Sequence, residues 1–149
     1  MRTATMGALG AALVLAGCGD PVSDEARAAG EAARAAIDAC FQQAGFTTGQ
    51  TSPAPVDGGN RRGLGGDAWS DGSIQAADGT WLDIYHWNEW TNEPDHAENT
   101  ATYQAQVFNE QGYEGYGEAR AVGRRAYVPV QSAEPFPVND ALDACLMMP

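Results

Sequence analysis

Apolar residues recur along this chain with two different spacings, one typical of helices and one typical of strands. The first helical pattern follows Ser23, which can cap a helix, and it stops at Gly45, which suits a left-handed helix end. Its apolar face consists of Ala29, Ala33, Ile37, Cys40, Phe41 and Ala44. The pattern therefore predicts a long amphipathic helix near the start of the domain.

The helical spacing returns twice more. A cap at Thr91 or Asn92 predicts a second helix that ends at Gly112. Its inward face consists of Ala97, Ala101, Ala105 and Phe108. Asn139 can cap a short third helix, which needs tertiary packing because so few residues cannot hold a helix alone. One side of that helix carries Ala141, Leu142, Cys145 and Leu146.

Between the helices, period-2 alternation and turn residues predict two β-hairpins. Residues 68–76 and 80–88 flank an Asp-Gly turn, and residues 117–122 and 125–130 flank a Gly-Arg turn. The resulting order is αββαββα. This order predicts an α+β domain with one antiparallel sheet of about four strands and helices packed on one face.

The length of 149 residues suits a single domain, which we place at residues 23–149. Residues 47–66 are rich in Gly, Pro and polar side chains and predict a flexible loop. Residues 1–17 are predicted to be a signal peptide, because Arg2 precedes an apolar run too short to span a bilayer. Residues 18–22 would then be a short tether.

The end of that apolar run, Leu15-Ala16-Gly17-Cys18, resembles the lipobox of bacterial lipoproteins. The resemblance implies cleavage before Cys18 and acylation of this residue with lipid chains such as palmitate. The protein would then be anchored to the cell membrane or outer membrane and face the extracytoplasmic side. The alternative is a chance cysteine near an ordinary cleavage site.

If Cys18 carries lipid, Cys40 and Cys145 remain as an even pair in an oxidising compartment. A disulfide between them is the simplest prediction, and two free buried thiols are the alternative. Neither cysteine has neighbours at metal-ligand or activating spacing, so a catalytic or metal role is not expected.

Three short segments resemble small exported or lipid-anchored proteins of high-GC bacteria. They are DACFQQAGF, ARAVGRRAYV and NDALDACL, which lie within residues 33–146. The resemblance implies a disulfide between the terminal helices and implies no known activity. The Gly-rich loop and the extra tryptophans depart from that pattern.

The charge of the chain excludes several classes of function. Eight Arg and no Lys stand against 20 Asp plus Glu, so the formal net charge is −12. Nucleic acid is not an expected partner, because phosphate-tracking proteins need a basic face. The absence of Lys also excludes a P-loop or a Schiff base. The doublets Arg61-Arg62 and Arg124-Arg125 are interpreted as intramolecular partners of acidic groups, with an anion site as the alternative.

The segment 81–90 has the densest candidate chemistry. Alternation puts Leu82, Ile84 and His86 on one strand face. The other face, which we call the 81–87 stripe, consists of Trp81, Asp83, Tyr85 and Trp87. Exposed, the stripe would be a ligand-binding platform for a sugar ring or a peptide; buried, it would be core.

Enzymatic readings rest on fewer residues. A metal site could be formed by His86, His96 and three acids, Glu93, Asp95 and Glu98, because imidazole and carboxylate are ligands of Zn²⁺ or Mn²⁺. A hydrolytic site of the cell envelope could use an acid pair such as Asp83 with Glu89. The spacing matches no metal motif and no Gly-x-Ser-x-Gly elbow is present, so no catalytic residue, metal or cofactor is predicted.

The leading hypothesis is a non-catalytic binding domain whose partner is an envelope glycan or protein. An enzyme, or a structural or inhibitory lipoprotein, is the alternative.

Overall fold

The computed structural model describes residues 24–53, 68–87, 95–132 and 134–149. The predicted signal peptide, the tether and most of the predicted loop lie outside these residues. Within them, no helix is long and apolar enough to cross a membrane.

The described residues form a mixed α+β domain of three helices and five strands. In chain order the elements are α1 (Asp24–Gln43), β1 (Thr47–Gln50), β2 (Ala68–Gln75), β3 (Trp81–Trp87), α2 (His96–Gln111), β4 (Arg120–Val122), β5 (Arg125–Val130) and α3 (Asp140–Leu146). The three helices and both hairpins are confirmed. Strand β1 was not predicted, and the expectation of a loop from residue 47 is wrong at that point.

The strands form one antiparallel sheet in the order β1-β2-β3-β5-β4. The β2–β3 hairpin turns at Asp78-Gly79, where Gly79 has φ of 90°. The Thr80 amide donates to Asp78 Oδ1 at 2.9 Å, and this hydrogen bond lowers the pKa of the Asp78 carboxyl. The predicted Asp-Gly turn thus joins β2 to β3.

The helices cover both faces of the sheet, so the prediction that they pack on one face is wrong. Helices α1 and α3 share a core with Ile74, Leu82, Ile84 and Tyr127. Helix α2 packs on the opposite face against Tyr85, Trp87, Ala126 and Val128. The physical reason lies in β3 and β5, which carry large apolar side chains on both faces, and both faces must be kept from water.

Helix α2 follows the predicted pattern. The four residues expected inside, Ala97, Ala101, Ala105 and Phe108, are all buried. Gly112 ends the helix in the left-handed conformation, with φ of 60°, and its amide donates to the Phe108 carbonyl. The predicted caps at residues 91 and 92 lie outside the described residues, and Asp95 directly precedes the helix.

Only the second half of α1 joins the core. Ile37 and Phe41 are buried, whereas Ala29 and Ala33 are exposed, so the predicted apolar face is wrong in its first two turns. All described side chains of residues 24–36 are exposed. Among the described residues, burial in the core therefore begins only at Ile37, which the helical periodicity alone could not indicate.

Helix α3 is fixed by a cap, by burial and by a disulfide. Asn139 Oδ1 accepts from the Leu142 amide at 3.0 Å. Leu142, Cys145 and Leu146 are buried, while Ala141 is exposed. The Cys40–Cys145 disulfide is present, with the two Cα atoms 5.6 Å apart and 105 residues between them in sequence. The predicted pairing is therefore confirmed.

Two arginines connect α3 to the sheet. The buried Arg125 donates from Nη1 to the Leu146 carbonyl at 2.9 Å and also to the Met148 carbonyl. Arg120 donates to Asp143 at 2.6 Å and to the Tyr127 hydroxyl at 3.5 Å. Burial raises the pKa of the Tyr127 phenol, and the neighbouring guanidinium acts in the opposite direction.

Replacing both Cys40 and Cys145 with Ser should lower the free energy of unfolding by about 2–5 kcal/mol, because the unfolded chain regains the freedom that the cross-link removes. Chemical denaturation under non-reducing conditions measures the loss. Cys18→Ser is the matched control, since it removes a thiol and leaves the disulfide intact. Equal stability of the two variants would contradict the prediction.

Candidate functional site

The 81–87 stripe is not an exposed platform. Tyr85 is 4% exposed and Trp87 is 2% exposed, and both lie beneath α2. Asp83 is buried as well, and Trp81 is half-buried. The hypothesis that these residues stack a sugar or grip a peptide at the surface is therefore wrong, and the alternative of a packed core is correct for Tyr85 and Trp87.

The packing explains why these aromatic side chains are inside. Helix α2 presents Ala97, Ala101 and Ala105 to the sheet, and these small side chains leave room for large rings beneath them. Phe108 continues the layer and contacts Tyr113 and Tyr116, with ring centroids 4.7 and 5.5 Å away. The aromatic residues of this face thus hold α2 on the sheet.

Asp83 is the one carboxylate among the buried residues described. Ser52 and Ser73 donate their hydroxyl protons to its Oδ1 atom, at 2.8 and 2.6 Å. Its other oxygen, Oδ2, has no hydrogen-bond partner among the described residues. The Asp83 carboxylate therefore connects the segment after β1 to the middle of the sheet through Oδ1, while Oδ2 is a buried acceptor without a described hydrogen bond.

The two histidines are not brought together. His86 belongs to the sheet face that packs against α1 and α3, whereas His96 begins α2 on the opposite face. Asp83 points to the face opposite His86. Glu89 and Glu93 lie outside the described residues. In the part of the chain that is described, no three His, Cys, Asp or Glu side chains are grouped so as to hold a metal ion.

A cavity of about 320 Å³ lies where α1 leaves the domain, and we call it the α1-end cavity. Its polar lining consists of Arg34 from α1, His86 from β3, and Arg124 and Arg125 from the β4–β5 hairpin. Gly30, Ala33 and Ile37 of α1 and Pro149, the last residue of the chain, complete the lining. Four basic side chains from three elements therefore converge on one concave surface.

Local backbone features place these basic groups. Gly72 occupies a β-bulge of β2 with φ of 102°, and a Cβ there would lie 3.3 Å from Arg34 Nη2. The glycine thus lets the Arg34 guanidinium approach the sheet. Arg124 follows Gly123, whose φ of 58° forms the tight turn before β5. Arg125 is held by the carbonyls after α3.

A second, more open groove of about 540 Å³ runs between α2 and the edge strand β4. Asn109 of α2 accepts from the Ala119 amide at 2.7 Å and donates to the Ala119 carbonyl at 3.0 Å. The side-chain amide thereby takes the place of a neighbouring strand and blocks the sheet edge at this residue.

Sequence reasoning identified some of these residues and missed others. The Arg124-Arg125 doublet was noted, and it lies in the cavity, whereas Arg61-Arg62 lies outside the described residues. The sequence did not distinguish Arg34 from the other charged residues of the Ala-rich helix α1, so its place in the cavity was not predicted. Ser52 and Ser73 were missed as well, since nothing in their own neighbourhood marks a partner 31 and 10 residues away.

The chain matches no protein-family model, no curated protein and no solved structure to which it was compared. Its residues and their geometry therefore carry the functional argument.

Trp87→Ala should lower the free energy of unfolding by about 3–5 kcal/mol, as truncating a large buried ring does. Tyr103→Ala is the matched control, because it also removes an aromatic ring, from the helix α2 that covers Trp87, but Tyr103 is 62% exposed. Its loss should stay within about 0.5 kcal/mol. Thermal and chemical denaturation of both variants test the assignment of Trp87 to the core. A Trp87→Ala variant as stable as the control would contradict that assignment.

Asp83→Ala should destabilise the fold by about 1–3 kcal/mol, because the buried hydroxyl of Ser52 and the partly buried hydroxyl of Ser73 lose their acceptor. Asp83→Asn should cost less, since its amide oxygen can still accept from Ser52 and Ser73. The order of the two losses in denaturant unfolding is the test. A larger loss for Asn than for Ala would show that the carboxylate oxygen Oδ1 is not the group that matters.

Proposed function

We propose that this protein is a lipid-anchored extracytoplasmic lipoprotein whose α+β domain binds a partner and has no catalytic role. The anchor would be Cys18, at the end of Leu15-Ala16-Gly17-Cys18. Two acyl chains hold a protein stably at a membrane without a spanning helix. The domain would then face the extracytoplasmic side of the cell membrane or outer membrane.

The Cys40–Cys145 disulfide is the observation that carries this proposal. Disulfides persist in oxidising compartments and are rare in the bacterial cytosol. A structural cross-link between the first and last helices therefore agrees with export, which is also what residues 1–17 predict. It leaves Cys18 as the one cysteine of the chain outside the pair, at the position where the lipobox pattern requires it.

The first half of α1 suits the role of a spacer. The helix begins six residues after Cys18, and about 20 Å of it precedes Ile37, its first described buried residue. Removal of residues 1–17 takes away Arg2 alone, so seven Arg stand against 20 acids and the net charge becomes −13. An acidic domain is repelled by anionic headgroups, and a spacer accommodates that repulsion.

A binding role is favoured over catalysis by the separation of the reactive groups. Asp83 with its two serines lies on one face of the sheet, and His86 lies on the other. General acid-base chemistry needs such groups within hydrogen-bond reach of one substrate atom. An envelope glycan or protein is the partner class that this location makes available.

Cys18→Ser should move the protein from the membrane fraction to the soluble fraction, because the acylated thiol is removed. Cys40→Ser is the matched control and should leave the protein in the membrane, although less stable. Intact mass of the native protein should show acyl chains on an N-terminal Cys18. An unmodified Cys18, or an N-terminus elsewhere, would contradict the anchor.

A further inference from the structure

We propose that a cavity at the C-terminal end of α2 is a binding site for a quaternary ammonium cation. The cavity has a volume of about 350 Å³, and we call it the aromatic cavity. The site goes beyond the proposed function and does not depend on it, because the cavity is built by the folded domain alone. Its described lining includes Phe108 and Asn109 of α2, Gly112 at the helix end, and Tyr113, Tyr116 and Glu118 of the loop before β4.

Three aromatic rings border this cavity. The ring centroids of Tyr113 and Tyr116 lie 4.7 and 5.5 Å from that of Phe108, and their planes meet its plane at 36° and 89°. The faces of such rings are electron-rich, so a cation within about 6 Å of a ring centroid is attracted to them. The rings rather than the hydroxyls are the recognition groups, and the Tyr113 hydroxyl already donates to Gln111 Oε1.

The charge around the aromatic cavity also suits a cation. Glu118 lines it and is exposed, and Glu114 of the same loop is exposed as well. None of the described lining residues is Arg or His, and the chain contains no Lys. Arg120, which follows the loop, donates to Asp143 of α3. A cation would therefore meet carboxylates and no described basic side chain in the lining.

The end of α2 adds a further negative potential. The last carbonyls of a helix lack partners within the helix, and its C-terminus carries a partial negative charge. Basic side chains in the last turn of a helix usually offset that charge. The last turn of α2, which the structure describes completely, contains Glu110 and no basic residue. A cation bound beside Gly112 would supply the charge that this helix end lacks.

Backbone contacts with β5 hold the loop that carries Tyr116 and Glu118. The Gly117 amide donates to the Pro129 carbonyl at 2.7 Å, and the Gln131 amide donates to the Gly115 carbonyl at 2.6 Å. A Cβ on Gly117 would lie 2.9 Å from the Ser132 carbonyl oxygen, so only glycine permits this close approach. A loop that is already ordered lowers the entropic cost of binding.

The lining favours a quaternary ammonium over a primary one. A primary ammonium brings three N–H donors that need acceptors, whereas a fully alkylated nitrogen brings none. Both polar atoms of the Asn109 amide already bond to Ala119, so ring faces and the Glu118 carboxylate dominate the described lining. The volume lies at the small end of the range for ligand pockets and suits a compact cation such as choline. Free choline and the choline headgroup of a phospholipid both offer this chemistry.

The first experiment titrates the whole chain with tetramethylammonium and with choline at constant ionic strength, using calorimetry and proton NMR. Choline should bind saturably in the millimolar range or tighter. Its N-methyl signal should move upfield, because protons above aromatic ring faces are shielded. The neutral tert-butyl isostere of choline should bind at least about fivefold more weakly, since it lacks the charge. Absence of saturable choline binding, or equal binding of the isostere, would overturn the proposal.

Tyr113→Leu should weaken choline binding at least about fivefold, because it replaces an aromatic ring with an aliphatic side chain. Tyr113→Phe should bind like the parent chain, since it keeps the ring. Tyr103→Leu is the matched control, because it removes an exposed tyrosine of α2 outside the described lining. Equal affinities of the Tyr113→Leu and Tyr103→Leu variants would show that the ring at 113 is not a recognition group.

Glu118→Gln tests the contribution of charge and keeps the proposal testable if Tyr113→Leu fails to fold. The side chain is exposed, so the melting temperature should stay close to that of the parent chain. Choline binding should weaken by about threefold. Glu31→Gln is the matched control, because it removes the same charge from α1, which packs on the opposite face of the sheet. Equal weakening by both variants would reflect overall charge and would contradict a site at Glu118.

The second experiment identifies the source of the cation. Flotation with phosphatidylcholine vesicles is compared with flotation with phosphatidylethanolamine vesicles, whose headgroup has the same net charge but a primary ammonium. A preference for phosphatidylcholine that Tyr113→Leu loses supports the lipid headgroup as the ligand. Choline binding without any vesicle preference supports a soluble cation. Cys18→Ser should leave the calorimetric result unchanged, which separates this proposal from that of the anchor.

Discussion

The disulfide between α1 and α3 is the constraint on which the rest of the structure depends. Helix α3 has only seven residues, and a helix of that length does not persist in water without help. The Cys40–Cys145 bond fixes it to a long helix, and Leu142 and Leu146 then fill the core under the sheet. Because α3 is held there, the carbonyls at its end stand where Arg125 can reach them. The cross-link therefore also determines one wall of the α1-end cavity.

Two-sided burial of β3 explains both what could be predicted from the sequence and what could not. The alternation in 81–87 correctly separated Leu82 and Ile84 from Tyr85 and Trp87. It could not indicate whether the second face meets water or a helix, since an aromatic face is compatible with either. The deciding feature is the alanine face of α2, which was recognised as inward but had no assigned partner. Periodicity gives the faces of each element, whereas pairing of faces is a tertiary property.

The same limit accounts for β1. The residues Thr47–Gln50 have no alternating apolar side chains, so local preference favours a loop. They become a strand through hydrogen bonding to the edge of β2, and Ser52 just beyond them is fixed by Asp83 from the centre of the sheet. Interactions between residues so distant in sequence leave no local pattern. Arg34 joins Arg124 and Arg125 in the same way, across most of the chain, so the doublet could be noticed while the cavity could not.

Charge is distributed unevenly over the domain. Asp and Glu outnumber Arg by 20 to 8 in the chain, yet three of the five described arginines line the α1-end cavity. If Cys18 is anchored, that end is connected to the membrane by a helix and a short segment, and the acidic remainder is free to stay farther away. Repulsion between exposed charges acts over about one Debye length, roughly 8 Å at physiological ionic strength. The part of α1 that precedes Ile37, the first described buried residue of the helix, is about 20 Å long. A domain anchored at Cys18 would therefore stand beyond most of this repulsion.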